Sequence, residues 1–468
     1  MSIKQFVTRF LVLILFLIGI SACGDKAEIS VIESAETKTS VLEPTVTVAP
    51  LLIPSETPVP FLFTLSDRPM LEIEGFSSGS FIMGYAVLDV DHDGLDDLLY
   101  FGVKWVNQES GFVNDPTELT VLLNKGEKGF VVGTKTIFPS GAPTLVHGRD
   151  AKSADLNGDG VADMVFVGHG FDKDPFPGEE NVLLLSQADG SYIDKSNQLN
   201  NPVLGFSHSM ALGDIENDGD IDLIVVDVWG GNSSPGVYLM KNDGSGQFDT
   251  NKILGASGYY KWASSELVDL NNDDYLDLVL GGDSSSSISA VFWNRGDGSF
   301  SSEYTELPSA DPFFIVADIL ALDLDNDGFQ DLILSLTKEK PFYEGSFLHV
   351  LMNREGEEFV ESPTKNFLDR NTAGKWVMRM EKTDIDLDGD IDLVMLYDLP
   401  DSNYTQLLWL NNGEGIFELL PLEEEMRGTM IPIDVDADGD KDLLVVVVPF
   451  FGNQNQVQRW QILINNTK

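Results

Sequence analysis

Acidic side chains recur along the chain at spacings that suit the binding of a divalent cation. Seven segments share the pattern Asp-x-(Asp/Asn/Glu)-x-Asp-(Gly)-x-x-Asp, and an apolar run follows each of them at once. In a tightly wrapped loop the oxygens at positions 1, 3, 5 and 9 turn toward one point, and a glycine at position 6 permits the sharp turn. Such hard oxygens, with a backbone carbonyl near position 7, suit Ca²⁺ better than Mg²⁺ or a transition metal. The pattern therefore predicts calcium-binding loops.

The first half of each loop also matches an EF-hand, so that alternative must be weighed. An EF-hand needs a bidentate Glu at position 12 and a helix after the loop. Here position 12 is apolar or aromatic, and the residues that follow are typical of a β-strand. The residues at position 12 are Tyr100, Phe166, Val225, Leu280, Leu334, Met395 and Val445.

The elements that must position these loops repeat with them. Successive loops begin 50 to 66 residues apart, which is the scale of one supersecondary unit per repeat. Each unit adds a short alternating stretch before the loop, a strand after it, an apolar strand ending near Asn, and a Gly-rich turn followed by an aromatic residue. Antiparallel four-stranded units that stack radially make a propeller. We therefore predict an all-β fold, a seven-bladed β-propeller of four-stranded antiparallel blades.

The two ends of the repeat array predict how the ring closes. The seventh unit is incomplete, because RWQILINNTK supplies its third strand and the sequence then ends. The stretch PFLFTLSD, residues 60–67, precedes the first unit with no partners of its own. We expect this N-terminal strand to complete the last blade, which would remove the open sheet edges that invite aggregation.

The loops and strands together resemble the FG-GAP/VCBS repeat family, seen in integrin α-subunit propellers and many bacterial exported proteins. The resemblance covers residues 60–468 and implies up to seven structural Ca²⁺ ions, one per blade. Two loops depart from the pattern, since Glu216 is longer than Asp and Asp274 stands where glycine belongs. A non-Gly residue at positive φ costs on the order of 1 kcal/mol, so the loop of Asp274 is expected to be weak or empty. The metal ligands that the resemblance implies are Asp89, Asp91, Asp93 and Asp97; Asp155, Asn157, Asp159 and Asp163; Asp214, Glu216, Asp218 and Asp222; Asp269, Asn271, Asp273 and Asp277; Asp323, Asp325, Asp327 and Asp331; Asp384, Asp386, Asp388 and Asp392; and Asp434, Asp436, Asp438 and Asp442.

The N-terminal residues predict export and a lipid anchor. Residues 1–22 have early positive charge and an apolar run too short to span a bilayer, which is typical of a signal peptide. They end in Ile-Ser-Ala before Cys23, which resembles the lipobox of bacterial lipoproteins, so Cys23 is the predicted lipidation site. Residues 23–59 are rich in Ser, Thr, Glu, Val and Pro and predict a disordered tether. We expect a bacterial cell-envelope protein held by its lipid to the outer membrane, on either the periplasmic or the surface-exposed face.

Charge and cysteine content exclude several classes of function. Lys and Arg total 29 against 76 Asp and Glu, a net charge of -47, so a nucleic-acid partner is not expected. Because the chain has a single cysteine, intrachain disulfides and zinc-thiolate sites are excluded.

A second set of polar residues lies where the sequence departs most from the repeat. These residues fall at strand ends or in loops of two neighbouring blades, where propellers usually bind ligands. They either form a possible ligand-binding site, or supply a general acid and base, or satisfy the local backbone and pack between blades. The six candidates are His147, Arg149, Asp150, His169, Asp172 and His208.

The sequence favours a calcium-stabilised, lipid-anchored binding or interaction module whose ligand is a protein or a polysaccharide. One alternative is an enzyme on the same scaffold that acts on polysaccharide, in which replacing His147 or His208 by Ala would abolish turnover. Another is a scaffold subunit of an envelope complex. No motif of a nucleophile elbow, a P-loop, a dinucleotide fingerprint or a zinc-protease helix is present.

Overall fold

The computed structural model describes most of the chain from residue 62 onward. The predicted signal peptide, Cys23 and the predicted tether lie outside the described residues and stay predictions. The described ranges are 62–66, 71–73, 81–104, 113–200, 204–229, 236–255, 261–341, 343–362, 367–369, 376–397, 408–420, 422, 428–447 and 458–467.

The described residues form seven radial antiparallel sheets, which confirms the predicted propeller. The first four blades follow one another along the chain. Strands β1 (Phe63–Leu65) and β2 (Leu71–Ile73) precede blade 1, which contains β3 (Phe81–Leu88), β4 (Asp97–Val103), β5 (Thr117–Glu118), β6 (Thr120–Asn124), β7 (Phe130–Val132) and β8 (Thr144–Leu145), with β5 and β8 paired apart from the main sheet. Blade 2 contains β9 (Gly148–Ala154), β10 (Asp163–Gly168), β11 (Val182–Ser186) and β12 (Tyr192–Asp194); blade 3 contains β13 (Phe206–Gly213), β14 (Asp222–Trp229), β15 (Gly236–Asn242) and β16 (Phe248–Gly255); blade 4 contains β17 (Trp262–Val268), β18 (Asp277–Gly282), β19 (Ala290–Asn294) and β20 (Phe300–Glu306).

The last three blades continue the same order. Helical structure among the described residues is limited to a single turn, α1 (Thr134–Ile137), and to the 3₁₀ turns Gly126–Lys128 and Ser196–Leu199. Blade 5 contains β21 (Phe313–Leu322), β22 (Asp331–Lys338), β23 (Glu344–Arg354), β24 (Glu358–Glu361) and β25 (Phe367–Asp369); blade 6 contains β26 (Val377–Thr383), β27 (Asp392–Tyr397), β28 (Leu408–Asn411) and β29 (Phe417–Leu420); blade 7 contains β30 (Thr429–Ile433), β31 (Asp442–Val447) and β32 (Gln458–Asn465). The described part of the chain holds no helix with the length and apolar character of a membrane span.

The hydrophobic core lies between neighbouring blades. The second strand of each blade is the most buried, and every residue of β4 and β10 is buried. Side chains on its two faces pack against different blades, so the strand is a continuous apolar run rather than an alternating one. Between blades 1 and 2, the rings of Phe101 and Phe166 meet edge to face at 5.0 Å. Blades are therefore held together mainly by apolar burial.

The ring closes through the N-terminal strand, as predicted. Strand β1 pairs antiparallel with β32, with Phe63 opposite Asn465 and Leu65 opposite Leu463. Blade 7 thus takes three strands from the C-terminal end of the chain, and β1 from the N-terminal end adds the fourth strand along its sheet. Two further pairings were not predicted: β2 also pairs with β32, and β25 pairs with β23.

The two apolar side chains of β1 allow a direct test of this closure. Phe63 is 3 % exposed and packs in the core between blades 6 and 7, whereas Leu65 is 47 % exposed. We expect Phe63→Ala to lower the free energy of unfolding by about 3 kcal/mol, because it leaves a cavity at the closure. Leu65→Ala is the matched control and should stay within about 0.5 kcal/mol of the parent in denaturant melts. Equal effects of the two variants would contradict the closure.

Candidate functional site

All seven acidic loops lie on one face of the propeller. Each loop joins the first strand of a blade to the second. The first strand has the same direction in all seven blades, so the loops that follow the first strands share one face. We call this side the loop face. The residues near the start of the first strands, among them Arg149 and His208, therefore lie toward the other side, the opposite face, as does His147 just before β9.

Within each loop the first aspartate organises the turn. In blade 1 the two carboxylate oxygens of Asp89 accept the backbone N–H groups of Asp93 at 3.0 Å and Gly94 at 2.9 Å. Gly94 has φ of 89°, and the corresponding Asp274 of blade 4 is forced to φ of 68°. The predicted strain at Asp274 is thus present.

The ninth residue ties the loop to its own blade. Asp97 accepts the N–H of Val90 at 3.0 Å through one oxygen and the N–H of Asn124, at the end of β6, at 2.7 Å through the other. Burial raises the pKa of Asp97 to about 7, against the lowering effect of these two hydrogen bonds. The same two backbone hydrogen bonds recur at every ninth residue, namely Asp97, Asp163, Asp222, Asp277, Asp331, Asp392 and Asp442.

An asparagine at the end of the third strand of one blade bonds to the loop of the preceding blade. The side-chain amide of Asn353 donates to the carbonyl of Leu270, in the loop of blade 4, at 2.8 Å. Because that carbonyl belongs to position 2 of the neighbouring loop, loops around the ring are linked to one another. The other residues that make this bond are Asn124, Asn242, Asn294 and Asn465. In blade 2 the same place is taken by Ser186, whose hydroxyl donates to Asp159 instead.

Four loops bring three carboxylates close enough to share a metal ion. In each, one oxygen from positions 1, 3 and 9 lies within 4.8 Å of the others. The predicted ligands at position 5 do not join these groups; Asp327, for example, accepts the N–H of Phe329 at 2.9 Å. The four groups are Asp89, Asp91 and Asp97; Asp323, Asp325 and Asp331; Asp384, Asp386 and Asp392; and Asp434, Asp436 and Asp442.

The blade 6 loop fits a cation best. The Oδ1 atoms of Asp384 and Asp386 are buried and accept no hydrogen bond. Buried carboxylate oxygens without a partner are costly, and a cation would satisfy them. A donor set made of hard oxygens alone suits Ca²⁺ better than a transition metal.

On the opposite face, the structure brings the three predicted histidines together. The ring centroid of His169 lies 3.8 Å from that of His147 and 5.4 Å from that of His208. Phe206 stacks on the other side of His169 at 4.2 Å. Histidines from two neighbouring blades thus lie in one cluster, and its role as a ligand site stays a prediction.

These histidines are neutral at physiological pH. Burial, with the nearby Arg149 guanidinium, lowers the pKa of His169 to about 3. Burial also holds the pKa of His147 and of His208 well below the usual range. Glu179 packs against the same region and accepts the N–H of His147 at 3.0 Å, which ties the first strand of blade 2 to a later loop of that blade. Glu179, which is not one of the predicted site residues, thus holds the backbone at His147 in place.

Arg149 links the histidine cluster to blade 6. Its guanidinium lies 5.7 Å from the ring centroid of Trp376 and 3.3 Å from the sulfur of Met378. Burial raises the pKa of Asp172, and the positive charge of Arg149 partly offsets that rise. The Asp172 carboxylate therefore lies close enough to the Arg149 guanidinium to interact with its charge. A cationic group framed by aromatic and thioether side chains can take an anionic or polar ligand group.

Asp150 faces the central channel, where it lines a cavity together with Arg149 and His208. Its carboxylate accepts the N–H of Met210 at 3.2 Å and lies 3.5 Å from the guanidinium of Arg379. Arg379 also donates to Glu381 at 2.6 Å and lies 4.6 Å over the ring of Tyr85. A cavity of about 430 Å³ opens between these innermost strands.

Sequence reasoning missed the partners that come from distant blades. Met83 lies 2.8 Å from His147, and Trp376 and Met378 approach Arg149 from blade 6. No local pattern marks these residues, because the ring alone brings blades 1, 2 and 6 to one channel. The strand-terminal asparagines were visible as a repeat, but their role across blades was not.

Comparison with known families agrees with the repeat pattern. The model of the FG-GAP-like repeat matches residues 155–225 and 269–334, which contain the loops of blades 2 to 5 together with the strands that follow them. No curated protein matches the chain. Taken with the seven described sheets, this shows that the chain is a β-propeller of seven blades that carries FG-GAP-like repeats.

Proposed function

We propose that this chain is a calcium-stabilised interaction module, held at the bacterial cell envelope by a lipid on Cys23, and that its ligand is a protein or a polysaccharide. The observation that carries the proposal is that the two faces of the propeller present different kinds of side chain. Carboxylate groups on the loop face fit structural cations. The opposite face gathers polar and aromatic side chains from several blades around the channel mouth.

Calcium would be held by the loop carboxylates at positions 1, 3 and 9, up to one ion in each blade. The ion supplies positive charge where three acids would otherwise repel one another in partly buried sites. Each loop is tied through its ninth residue to the third strand of its blade, and in five blades an asparagine at the end of that strand also bonds to the loop of the preceding blade. Filling the loops therefore stabilises the whole ring.

The ligand surface is assigned to the channel mouth on the opposite face. Arg149 and His208 are partly exposed there, beside the buried His147 and His169. All four lie on or directly beside strands of blades 2 and 3, so a ligand would meet a preorganised surface. The envelope location and the lipid anchor are supported by the sequence of residues 1–23 alone.

Binding of glycans gives the direct test. The chain from residue 60 onward would be screened against immobilised bacterial polysaccharides and cell-wall fragments, in calcium and in EDTA. We expect a hit whose affinity falls at least about tenfold with Arg149→Ala, since a desolvated charge contact is lost. The control is Lys128→Gln, which changes an exposed side chain elsewhere and should bind as the parent does. Equal binding by Arg149→Ala and the parent would contradict the assigned surface.

A further inference from the structure

We propose that three of the seven loops carry a built-in competitor for calcium, a basic side chain paired with the carboxylate at position 3. These loops belong to blades 1, 3 and 5, and the basic residues are Lys125, Lys241 and Arg354. The inference rests on the proposed calcium role and divides the loops into two classes. Loops with a tethered cation bind calcium weakly, and loops without one bind it first.

Blade 1 shows the competitor most clearly. The Lys125 ammonium donates to Asp91 at 2.5 Å and to Asp93 at 2.8 Å. Both acids belong to the loop, and Asp91 is also one of the three carboxylates placed to share an ion. Asn124, which bonds to the loop of blade 7, directly precedes Lys125. This bond therefore also holds the backbone from which the Lys125 side chain extends.

Blades 3 and 5 repeat the arrangement from nearly the same place in the blade. Lys241, which precedes the strand-terminal Asn242, donates to Glu216 at 2.7 Å. Arg354, which follows Asn353, lies 3.5 Å from Asp325. In each case the basic residue comes from the end of the third strand and reaches position 3. The longer side chain of Glu216 thus pairs with Lys241, an interaction that the sequence pattern alone did not indicate.

Blade 6 provides the contrast. Asn412 follows the strand-terminal asparagine there, so no basic residue stands at the corresponding place. In blade 6 the Oδ1 atoms of both Asp384 and Asp386 are buried without a hydrogen-bond partner. In blade 1 the Oδ1 of Asp91 is in the same state, but Lys125 donates to the other oxygen of that carboxylate and to Asp93. The blade 6 loop therefore has the greatest need of an external cation.

Electrostatics sets the direction of the effect. An ammonium that pairs with a ligand carboxylate repels a divalent ion bound to the same carboxylate, and partly buried sites screen this repulsion weakly. Calcium must either displace the lysine or bind beside it, and both outcomes weaken binding. When calcium is scarce, the same lysine offsets repulsion between the acids and keeps the loop folded.

The test compares Lys125 with Lys128, which lie at the two ends of the same 3₁₀ turn. Lys125→Gln removes the competitor, and Lys128→Gln removes an exposed lysine three residues later. We would count calcium bound per chain by equilibrium dialysis at a free concentration of about 0.1 mM, and measure the Tm in EDTA. We expect Lys125→Gln to tighten one site by about tenfold, to raise the bound count by up to about half an ion, and to lower the Tm in EDTA. Lys128→Gln should match the parent in both measurements, and Lys241→Gln should repeat the result in blade 3.

The outcomes separate the two proposals. If the parent binds calcium but Lys125→Gln and Lys241→Gln bind the same number of ions with the same affinity, the built-in competitor is wrong and the calcium role stands. If the parent binds no calcium at all, the calcium role itself fails. A lower Tm in EDTA without tighter calcium binding would show that the lysine is only structural, which also overturns the inference.

Discussion

We expect EDTA to lower the Tm of the calcium-treated chain by on the order of 10 °C. Four loops place three carboxylates within reach of one ion. With a dissociation constant near 0.1 mM and calcium at about 1 mM, each ion stabilises the fold by about 1.4 kcal/mol. Four such ions would contribute at most about 6 kcal/mol, and less where Lys125 and Arg354 weaken binding in blades 1 and 5; this is still a large part of the net stability of an ordinary domain. Differential scanning calorimetry in calcium and in EDTA measures the change.

Blade 6 supplies the internal control for this result. Replacing both Asp384 and Asp386 by Asn removes two charged ligands and should reduce the difference in Tm between calcium and EDTA. Added Mg²⁺ should restore less stability than Ca²⁺, because it demands a stricter coordination geometry. A Tm that EDTA leaves unchanged would show that the loops hold the blades together without an ion.

Loss of one strand-terminal asparagine destabilises the ring by about 3 kcal/mol. Asn353 is fully buried, donates to the carbonyls of Leu270 and Gln330, and accepts the N–H of Gly356 at 2.9 Å. Asn353→Ala leaves these three backbone groups without their partner, and each buried unsatisfied group costs about 1 to 3 kcal/mol. Chemical denaturation of the variant measures the loss directly.

The matched control for this variant is Asn251→Ala, which changes an exposed asparagine on a strand of blade 3. It should alter the free energy of unfolding by no more than about 0.5 kcal/mol. If Asn353→Ala is as stable as the control, the hydrogen bond between loops of neighbouring blades contributes nothing to the ring.

Most of the fold was predictable because the decisive signals repeat. Seven aligned loops gave the number of blades, and the incomplete seventh unit gave the closure that β1 and β32 form. The backbone strain at Asp274 was also predictable, because any residue other than glycine at position 6 is strained by the positive φ of that position.

The remainder depends on contacts that no single repeat contains. Leu387, at position 4 of its loop, adopts a φ of 58°, although its residue type gives no sign of it. The loop wraps so tightly that two residues must enter the left-handed region, and only the glycine marks one of them. One oxygen of the position 5 residue Asp327 accepts the backbone N–H of Phe329, and Met83 of blade 1 lies against His147 of blade 2.

Anomalous diffraction from crystals of the chain grown in calcium tests the central claim most directly. The account predicts a peak between Asp384, Asp386 and Asp392 in blade 6, with weaker occupancy in the blade 1 loop beside Lys125. A well-ordered blade 6 loop without any anomalous peak, in crystals that contain calcium, would contradict it.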